Sequence, residues 1–395
     1  MSARASAALL RARDTLATGV SSERREALER LTGASPADLA PTAVRYVAEA
    51  EGSLSAAVTV ARRAPGVVLC LTGTPVTNRP AEYASQLQIL GRLEDFGGRW
   101  AFYKRYCNAF RDRFGQWHIE GASHLDELND RLRATCYIRR TKDQVMSELP
   151  PVQHNPVVVA GSTKAMREYR KAEQDIVEYM VARAAAIAEE LGTSRRKAEV
   201  VARFRVEAAQ HIVRMGVLRK IAASAKLEAL DEWVTSHIEA DRKVVLAAHH
   251  RDVVDALADK YGGLKIQGGQ PLEEIEEHKR RFQNESVTAA PAIVLSIQAA
   301  KTGHTLTAAQ NICFVELPWT PADLDQTTSR LHRIGQRGSV EATYLLAEGT
   351  IDETVFDLIG LKRSIVEVAI EGAGSGESAG SIADLVERFA RLALD

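Results

Sequence analysis

The sequence predicts an α/β fold in which a parallel sheet is flanked by helices and preceded by a largely helical region. Three observations support this prediction. Five short apolar runs between residues 243 and 347 have the length and composition of buried strands. Helical segments separate these runs, as expected when parallel strands are joined by right-handed crossovers. Before them, residues 162–240 are rich in Ala, Arg, Glu and Lys, a composition typical of long helices.

The predicted elements follow one another in a regular order. Residues 1–64 have helical periodicity, and a strand-like apolar run at 67–71 follows, closed by the turn Thr-Gly-Thr-Pro at 72–75. From there to about residue 137 the sequence again reads as helical. Later strands are predicted at 243–248, 263–267, 292–297, 311–316 and 341–347, with helices at about 250–261, 271–284, 321–333 and 352–369. A Gly- and Ser-rich stretch at 372–380 predicts a flexible linker, followed by a short amphipathic helix.

The bulk composition excludes several classes of protein. The 395 residues suggest two to three domains, and the formal net charge is −1, from 51 basic and 52 acidic side chains. A surface for a polyanion must therefore be a local patch. No window is apolar over the length of a membrane span, and the N-terminal apolar run is too short for a signal peptide. The four cysteines form no CxxC pair, so we predict a cytoplasmic protein without a zinc or other metal site.

The most informative stretch, QTTSRLHRIGQ, runs from Gln326 to Gln336. Arg330 and Arg333 are three residues apart in a helix-like run that ends at Gly335, and this spacing puts both guanidiniums on one face of one helical turn. An arginine pair on a rigid element suits a transferring phosphoryl group, whose negative charge spreads over several oxygens in the transition state. A surface helix held by salt bridges is the simpler alternative.

The residues that would hold a nucleotide's phosphates and its magnesium ion are missing from the sequence. A Gly-rich phosphate loop ends in Gly-Lys-Ser/Thr, and these 395 residues contain no Gly-Lys dipeptide. The acidic pair that holds magnesium follows a buried strand, whereas none of the Asp-Glu pairs at 126–127, 231–232 and 352–353 follows a strand-like run. One weak trace is Glu49, which precedes the 72–75 turn by the interval of a magnesium-binding motif, although a helical Ala/Glu run explains it equally well.

Five segments match, in order, the motifs of one family. They are LTGTPVTNRPAE (71–82), IRRTKDQVMSELPP (138–151), KVVLAAHH (243–250), IVLSIQAAKTGHTLTAAQ (293–310) and the arginine stretch. These segments resemble motif three, the basic stretch before the second lobe, and motifs four, five and six of the Swi/Snf-type, superfamily-two helicase-like DNA-dependent ATPases. From about residue 66 to 370 the chain is similar to the C-terminal portion of such a protein, closest in texture to the annealing-helicase branch. Several motifs in the family's order make chance agreement very improbable.

The resemblance implies a RecA-like helicase C-terminal lobe, preceded by a remnant of a first RecA-like lobe. The expected regions are a helical N-terminal segment (1–65), the end of the first lobe with a helical insertion (66–155), a helical connector (156–240), the second lobe (241–370), and a linker with a short helix (371–395).

The resemblance also implies roles for individual residues. Arg330 and Arg333 are expected to act as arginine fingers on the γ-phosphate of ATP. Support of the nucleotide site is expected from Gln326, Gly303, Gly335, Gln336, Thr72, Gly73 and Thr74, and contacts with the DNA backbone from Ser296, Thr305, Arg139, Arg140 and Lys142. ATP and Mg²⁺ would be bound mainly by the first lobe, supplied by a separately encoded partner that carries the P-loop and DEAH motifs. The partners implied are this lobe and DNA, contacted through its backbone without sequence specificity.

An aromatic and basic cluster at 96–117 leaves two interpretations open. It interleaves Trp100, Phe102, Tyr103, Tyr106, Phe110, Phe114 and Trp117 with Arg99, Lys104, Arg105, Arg111 and Arg113. Aromatic faces beside cations are used to stack single-stranded DNA. The other interpretation, which the periodicity favours, is a helical module that buries its aromatics and leaves its cations in solvent. The basic residues at 131–142 likewise suit either phosphate tracking or a solvated helix face.

The function that the sequence predicts is the second motor lobe of an ATP-dependent DNA translocase. Two alternatives remain open at this point. A non-catalytic DNA- or partner-binding scaffold, or a truncated gene product, would also lack the nucleotide cradle. A scaffold, however, has no evident need for the complete arginine motif.

Overall fold

The computed structural model describes residues 58, 61, 68–77, 79–111, 115, 117–119, 121–191, 208–301 and 303–371. They fall into two compact units, one containing 58, 61, 68–72 and 85–93 and the other containing 73–84 and 94–371. The predicted N-terminal segment, Glu49, and the linker and helix after residue 371 lie outside the described residues. None of the described helices combines the length and the apolarity that crossing a membrane requires.

Short elements make up the described chain before residue 150. The helices are α1 (Glu82–Ile89), α2 (Gly98–Tyr106), α3 (Leu125–Thr135) and α4 (Lys142–Val145), and strands β1 (Phe110–Arg111) and β2 (Trp117–His118) form a two-stranded antiparallel ribbon. The strand predicted at 67–71 was wrong, because residues 68–71 have no regular structure and Leu71 is 60% exposed. A strand needs a neighbour for its backbone hydrogen bonds, and no strand of the described residues pairs with this segment.

A six-stranded, fully parallel sheet forms the centre of the larger unit, as predicted. Its strands are β3 (Val152–Val159), β4 (Val244–Ala248), β5 (Lys265–Ile266), β6 (Ala292–Ser296), β7 (Asn311–Phe314) and β8 (Val340–Ala347), in the spatial order β3-β8-β7-β4-β6-β5. The helices around them are α5 (Thr163–Leu191), α6 (Ala208–Ala225), α7 (Leu227–Glu239), α8 (Arg251–Lys260), α9 (Leu272–Asn284), α10 (Pro321–Thr328) and α11 (Ile351–Glu371). This arrangement is a RecA-like α/β lobe, so the predicted fold class is confirmed.

Helices cover both faces of the sheet, because its central strands are apolar along their length. All residues of β4 and β6 are buried. Side chains alternate along a strand, and Val245 and Ala247 accordingly pack with α6, α9 and α11, whereas Val244 and Leu246 pack with α7 and α8. Burial on both faces requires the continuous apolar runs from which these strands were predicted.

Strand β3 was not predicted, and it crosses the boundary expected between residues 155 and 156. It pairs with β8 along all of its eight residues. Pro156 lies in the middle of β3. A proline has no N–H to donate, so it is unfavourable in a central strand of a sheet but tolerated in an edge strand, which pairs on one side only. Val158 is 55% exposed. The edge position therefore explains both the proline and the weak apolar signal.

A buried ion pair ties the carboxyl ends of two strands to the helices behind them. Lys226, at the junction of α6 and α7, is fully buried, and its ammonium donates to Asp352 Oδ2 at 2.7 Å and to the carbonyl oxygens of Val315 and Leu345. Asp352 Oδ2 also accepts the backbone N–H of Ala347 at 3.1 Å. Lys226 thus fixes the ends of β7 and β8. The arginine stretch follows β7 in the chain, so this ion pair lies at the point where the chain leaves β7 toward that stretch.

Candidate functional site

The predicted arginine pair lies beyond the end of a short helix that follows strand β7. Helix α10 begins at Pro321 and is capped by Thr320, whose hydroxyl accepts a backbone N–H of the first turn at 3.2 Å. The helix ends at Thr328, and Arg330 and Arg333 lie in the turns that follow. The prediction that both arginines share one helical turn was therefore wrong.

Tertiary hydrogen bonds end the helix early. In a continuing helix the carbonyl oxygens of residues 330–332 would accept N–H groups four residues further on. They instead accept from Leu306 N at 2.9 Å, Gln336 Nε2 at 3.3 Å and Lys142 Nζ at 2.7 Å, respectively. Two of these donors are distant in sequence, so the local spacing of residues could not reveal them.

The two guanidiniums are anchored by backbone oxygens and lie close to one another. Arg330 Nε donates to Gln326 O at 3.0 Å, and Arg333 Nη1 donates to His304 O at 2.9 Å. Both arginines are half-buried. Burial, and then the positive charge of Arg333, lower the pKa of Arg330 from its ordinary value. Within the part of the chain that the structure describes, neither guanidinium contacts a carboxylate.

The Thr-Gly-Thr-Pro turn meets the arginine segment through side-chain hydrogen bonds. Gln326 Nε2 donates to Thr74 Oγ1 at 2.8 Å, across 252 positions of sequence. Arg139 Nη1 donates to Gly73 O at 3.2 Å. Gln326, Gly73 and Thr74, which were predicted to support one site, are therefore brought together. Thr72 belongs to the smaller compact unit.

Lys142 holds the arginine turns instead of presenting its charge to solvent. Its ammonium donates to Ser329 Oγ at 2.9 Å and to His332 O at 2.7 Å, on either side of Arg330. His332 Nε2 in turn donates to Pro150 O at 2.7 Å, since a carbonyl oxygen can only accept. The segment 138–151 therefore contacts the arginine turns at two points, through Lys142 and through Pro150. In this arrangement Lys142 positions the turns, and the predicted DNA contact of its ammonium is not supported.

The other residues predicted to contact DNA differ in their accessibility. Ser296 ends β6 and is 5% exposed, which leaves its hydroxyl little access to a phosphate, so this conformation does not support that prediction. Thr305 is half-buried and Gly303 is exposed, and a Cβ on Gly303 would meet nothing within 4 Å. Arg140 is exposed, and its guanidinium donates to the carbonyl oxygen of Arg139 at 3.0 Å. An open stretch of backbone and an exposed cation are thus the accessible parts of the predicted DNA surface.

Gln336 contacts the backbone of its own loop and of the segment at 307–309. It is buried, its amide nitrogen donates to Ala309 O at 2.9 Å, and its amide oxygen accepts the N–H of Arg337 at 2.9 Å. Gly335, beside it, has a φ of 99°, a left-handed conformation in which a side chain would be strained. Both residues shape the turn that holds Arg333, so their predicted support of a nucleotide site would be indirect.

A buried carboxylate after strand β7 was missed. Glu316 is 2% exposed and accepts the backbone N–H groups of His249 and His250 at 2.8 and 2.9 Å, and His250 Nδ1 at 2.5 Å. Burial raises the pKa of Glu316, but the hydrogen bonds with His250 and the charges of His250 and Arg219 outweigh it and hold this pKa below its ordinary value. Desolvation lowers the pKa of His249 to about 4, so this ring is neutral at pH 7. The only available signal was an acid that ends the apolar run at 311–316.

Two family profiles match adjacent parts of the chain. The SNF2-related domain matches residues 61–224, and the helicase conserved C-terminal domain matches residues 225–335. Human DNA annealing helicase and endonuclease ZRANB3 is 33% identical over 325 residues, which are 79% of this chain and 27% of that protein. The SWI/SNF-related matrix-associated actin-dependent regulator of chromatin subfamily A-like protein 1 of Drosophila melanogaster is 31% identical over 307 residues, which are 76% of this chain and 37% of that protein. The chain therefore spans between about a quarter and two fifths of the length of these relatives.

Solved structures of related proteins are more distant in sequence. The SWI2/SNF2 ATPase core of Sulfolobus solfataricus in complex with dsDNA is 19% identical, with a TM-score of 0.40 over 76% of this chain and 62% of that one. The C-terminal part of the Fun30 ATPase domain is 15% identical, with a TM-score of 0.42 over 61% of this chain and 98% of that one.

Proposed function

Because the chain belongs to the Swi/Snf-type, superfamily-two helicase-like ATPases, we propose that it is the second motor lobe of an ATP-dependent DNA translocase. In this proposal Arg330 and Arg333 act as arginine fingers on a nucleotide that another lobe holds. That lobe carries the P-loop and DEAH motifs. Closing of the two lobes on ATP, and their opening after hydrolysis, moves the motor along the DNA backbone.

The observation that supports this proposal most is the uncompensated arginine pair. Two half-buried guanidiniums repel one another, and the structure offers neither of them a carboxylate among the described residues. A triphosphate would offset this repulsion, because its oxygens accept from planar guanidinium donors. Each guanidinium has five N–H groups, and the bonds to Gln326 O and His304 O use one N–H of each arginine. In the proposal, the N–H groups that these two bonds leave over donate to the γ-phosphate of ATP.

The division of labour between the two lobes follows from what this chain can hold. ATP would supply the phosphoryl group that is transferred to water, and the arginines would stabilise the charge that develops on it. No group of three acidic, His or Cys side chains that could hold a metal ion occurs among the residues that the structure describes. In the proposal, Mg²⁺ and most contacts with ATP belong to the lobe that carries the P-loop and DEAH motifs.

The contact between Gln326 and Thr74 supports a relay of nucleotide state. The carbonyl oxygen of Gln326 accepts from Arg330, and its amide nitrogen donates to Thr74. A shift of Arg330 toward a phosphate would therefore act directly on the Thr-Gly-Thr-Pro turn. DNA contact in the proposal falls to the exposed Arg140 and to the loop that contains Gly303 and Thr305, which can reach phosphates without reading bases.

ATP hydrolysis by the purified chain tests the proposal. It is measured with and without duplex DNA, and with and without a separately expressed P-loop lobe of a Swi/Snf-type protein. We expect turnover only in the mixture, and we expect DNA to stimulate it. Substantial DNA-stimulated turnover by this chain alone would overturn the assignment of the nucleotide cradle to a partner. A mixture that binds DNA but never hydrolyses ATP would favour the non-catalytic scaffold.

Replacing Lys142 by methionine is expected to lower the maximal hydrolysis rate of the two-lobe mixture roughly 10–100-fold, because small displacements of catalytic groups have effects of this size. Methionine keeps part of the aliphatic stem but removes the hydrogen bonds to Ser329 Oγ and His332 O. The DNA concentration that gives half-maximal stimulation should not change. Both quantities come from steady-state hydrolysis measured over a range of DNA concentrations.

Arg140→Met is the matched comparison, since Arg140 lies two residues away and is exposed. It should raise the DNA concentration needed for half-maximal stimulation and leave the maximal rate within about twofold, as expected for loss of one phosphate contact. If Lys142→Met behaved in the same way as Arg140→Met, the positioning role of Lys142 would be wrong.

A further inference from the structure

The structure divides the aromatic and basic cluster at 96–117 into a buried part and an exposed part. Phe96, Phe102 and Tyr106 are buried and pack on one another, with ring centroids 5.1–6.2 Å apart. This part is the helical module that the periodicity favoured. Phe114 and Arg113 lie outside the described residues. Trp100, in contrast, is 49% exposed, which burial in a module does not explain.

Two tryptophans from different elements meet at the exposed part. Trp100 on helix α2 and Trp117 on strand β2 have ring centroids 4.6 Å apart and an interplanar angle of 37°. Trp117 is half-buried, and Lys104 Nζ lies 5.7 Å from its ring centroid. We call Arg99, Trp100, Lys104 and Trp117 the tryptophan surface. It presents the exposed ring of Trp100 and the half-buried ring of Trp117, with the ammonium of Lys104 beside the Trp117 ring.

Helix α2 contributes positive charge to this surface. Helix α2, with the sequence GRWAFYKRY, contains three cations and no acid. Arg105 is bound by Glu127, with Nε donating to Oε2 at 3.1 Å. Arg99 and Lys104, one residue before and four residues after Trp100, are exposed. The helix therefore places two exposed cations around an exposed ring.

The composition of the exposed part favours one kind of ligand. Between residues 94 and 135, the large apolar side chains that the structure describes as exposed are Trp100 and Phe110, and both are aromatic. Aromatic residues and arginine are enriched in protein–protein interfaces too, but lysine is depleted there, and Lys104 lies beside the ring of Trp117. Bases stack on aromatic faces, and phosphates pair with the cations between them, which is how single strands are bound without sequence preference. Duplex DNA does not offer its base faces in this way.

We propose that the tryptophan surface binds single-stranded nucleic acid by stacking unpaired bases on Trp100 and Trp117. Arg99 and Lys104 contact the phosphates of the same strand. This inference concerns a surface separate from the arginine pair and does not rest on the proposed motor function. It needs neither ATP nor a partner lobe.

Titration of the purified chain with a fluorescently labelled oligothymidylate, followed by anisotropy, tests the proposal. We expect binding at low salt, and we expect Trp100→Ala to raise the Kd about fivefold or more, the range for removing one stacking ring. Trp100→Phe, which keeps a ring, should stay closer to the wild type than Trp100→Ala. An unlabelled duplex of the same length should compete less well than unlabelled oligothymidylate. Circular dichroism of each variant separates loss of binding from loss of folding.

Phe110→Ala is the matched control, because Phe110 is 54% exposed and belongs to the same ribbon. Phe110 pairs with His118, whereas Trp117 pairs with Arg111, so Phe110 and Trp117 point to opposite faces of the ribbon. Phe110→Ala should change the Kd by less than about twofold. Absence of oligothymidylate binding, or equal effects of Trp100→Ala and Phe110→Ala, would overturn the proposal. Failure of the motor proposal would instead appear in ATP hydrolysis, which this titration does not involve.

Discussion

Replacing Arg333 by alanine is expected to lower single-turnover ATP hydrolysis by the assembled two-lobe site about 10³-fold or more, the range of arginine fingers. Arg333 is half-buried beside Arg330, and the guanidinium that remains could not neutralise the developing charge alone. Arg333→Lys keeps the charge but loses the planar donor group, and should recover only part of the rate. The affinity of the mixture for DNA, measured by anisotropy, should stay within about twofold.

Arg337→Ala provides the control for this prediction. Arg337 is an exposed arginine of the same loop, and its backbone N–H rather than its side chain donates to Gln336. Loss of the Arg337 side chain should leave the single-turnover rate of ATP hydrolysis within about twofold of the wild type, because the turn that holds Arg333 is unaffected. If the affinity of Arg333→Ala for DNA fell as much as its hydrolysis rate did, the arginine-finger assignment would be wrong.

Replacing Lys226 by alanine is expected to lower the free energy of unfolding by about 3–5 kcal/mol, the cost of breaking a buried ion pair by removing one partner. The substitution leaves Asp352 buried without its counter-ion, and the carbonyl oxygens of Val315 and Leu345 lose their donor. Urea unfolding followed by circular dichroism measures the change through the shift in the midpoint.

Lys220→Ala is the matched control, because Lys220 lies on α6, the helix that ends just before Lys226, and pairs with Asp252 at 2.8 Å in solvent. Exposed pairs contribute about 0–1 kcal/mol, so this variant should remain close to the wild type. The double variant Lys226→Met with Asp352→Leu should recover much of the lost stability, since apolar residues can replace a buried pair. Equal destabilisation by Lys226→Ala and Lys220→Ala would contradict the structural role of the buried pair.

The sheet could be predicted wherever burial on both faces left a continuous apolar run. Strands β4, β6, β7 and β8 satisfy this condition, and each was predicted to within a few residues. Strand β3 was missed because an edge position tolerates Pro156 and exposed valines. The strand expected at 67–71 is not formed, although its sequence is apolar. Its apolar residues are suited to a strand, but no described strand lies beside them to complete the hydrogen bonds.

The contacts of the predicted site residues could not be derived from the sequence. The spacing of Arg330 and Arg333 predicted a shared helical turn that does not form, because the end of helix α10 depends on Lys142 and Leu306, which only the folded chain brings close. Gln326 and Thr74, which are 252 positions apart, could be assigned to one site only through the family resemblance. Sequence spacing does not report burial, and Ser296, which was predicted to contact DNA, is 5% exposed.

The most direct test of the account is a titration of an isolated, ATP-loaded P-loop lobe with this chain, with the single-turnover rate of γ-phosphate release as the measured quantity. We expect the rate to rise and saturate with the wild-type chain. The variant that lacks both Arg330 and Arg333 should bind the lobe but leave the rate at the level of the lobe alone. An equal rise with this double variant would contradict the claim that the two guanidiniums act on a nucleotide held by another lobe.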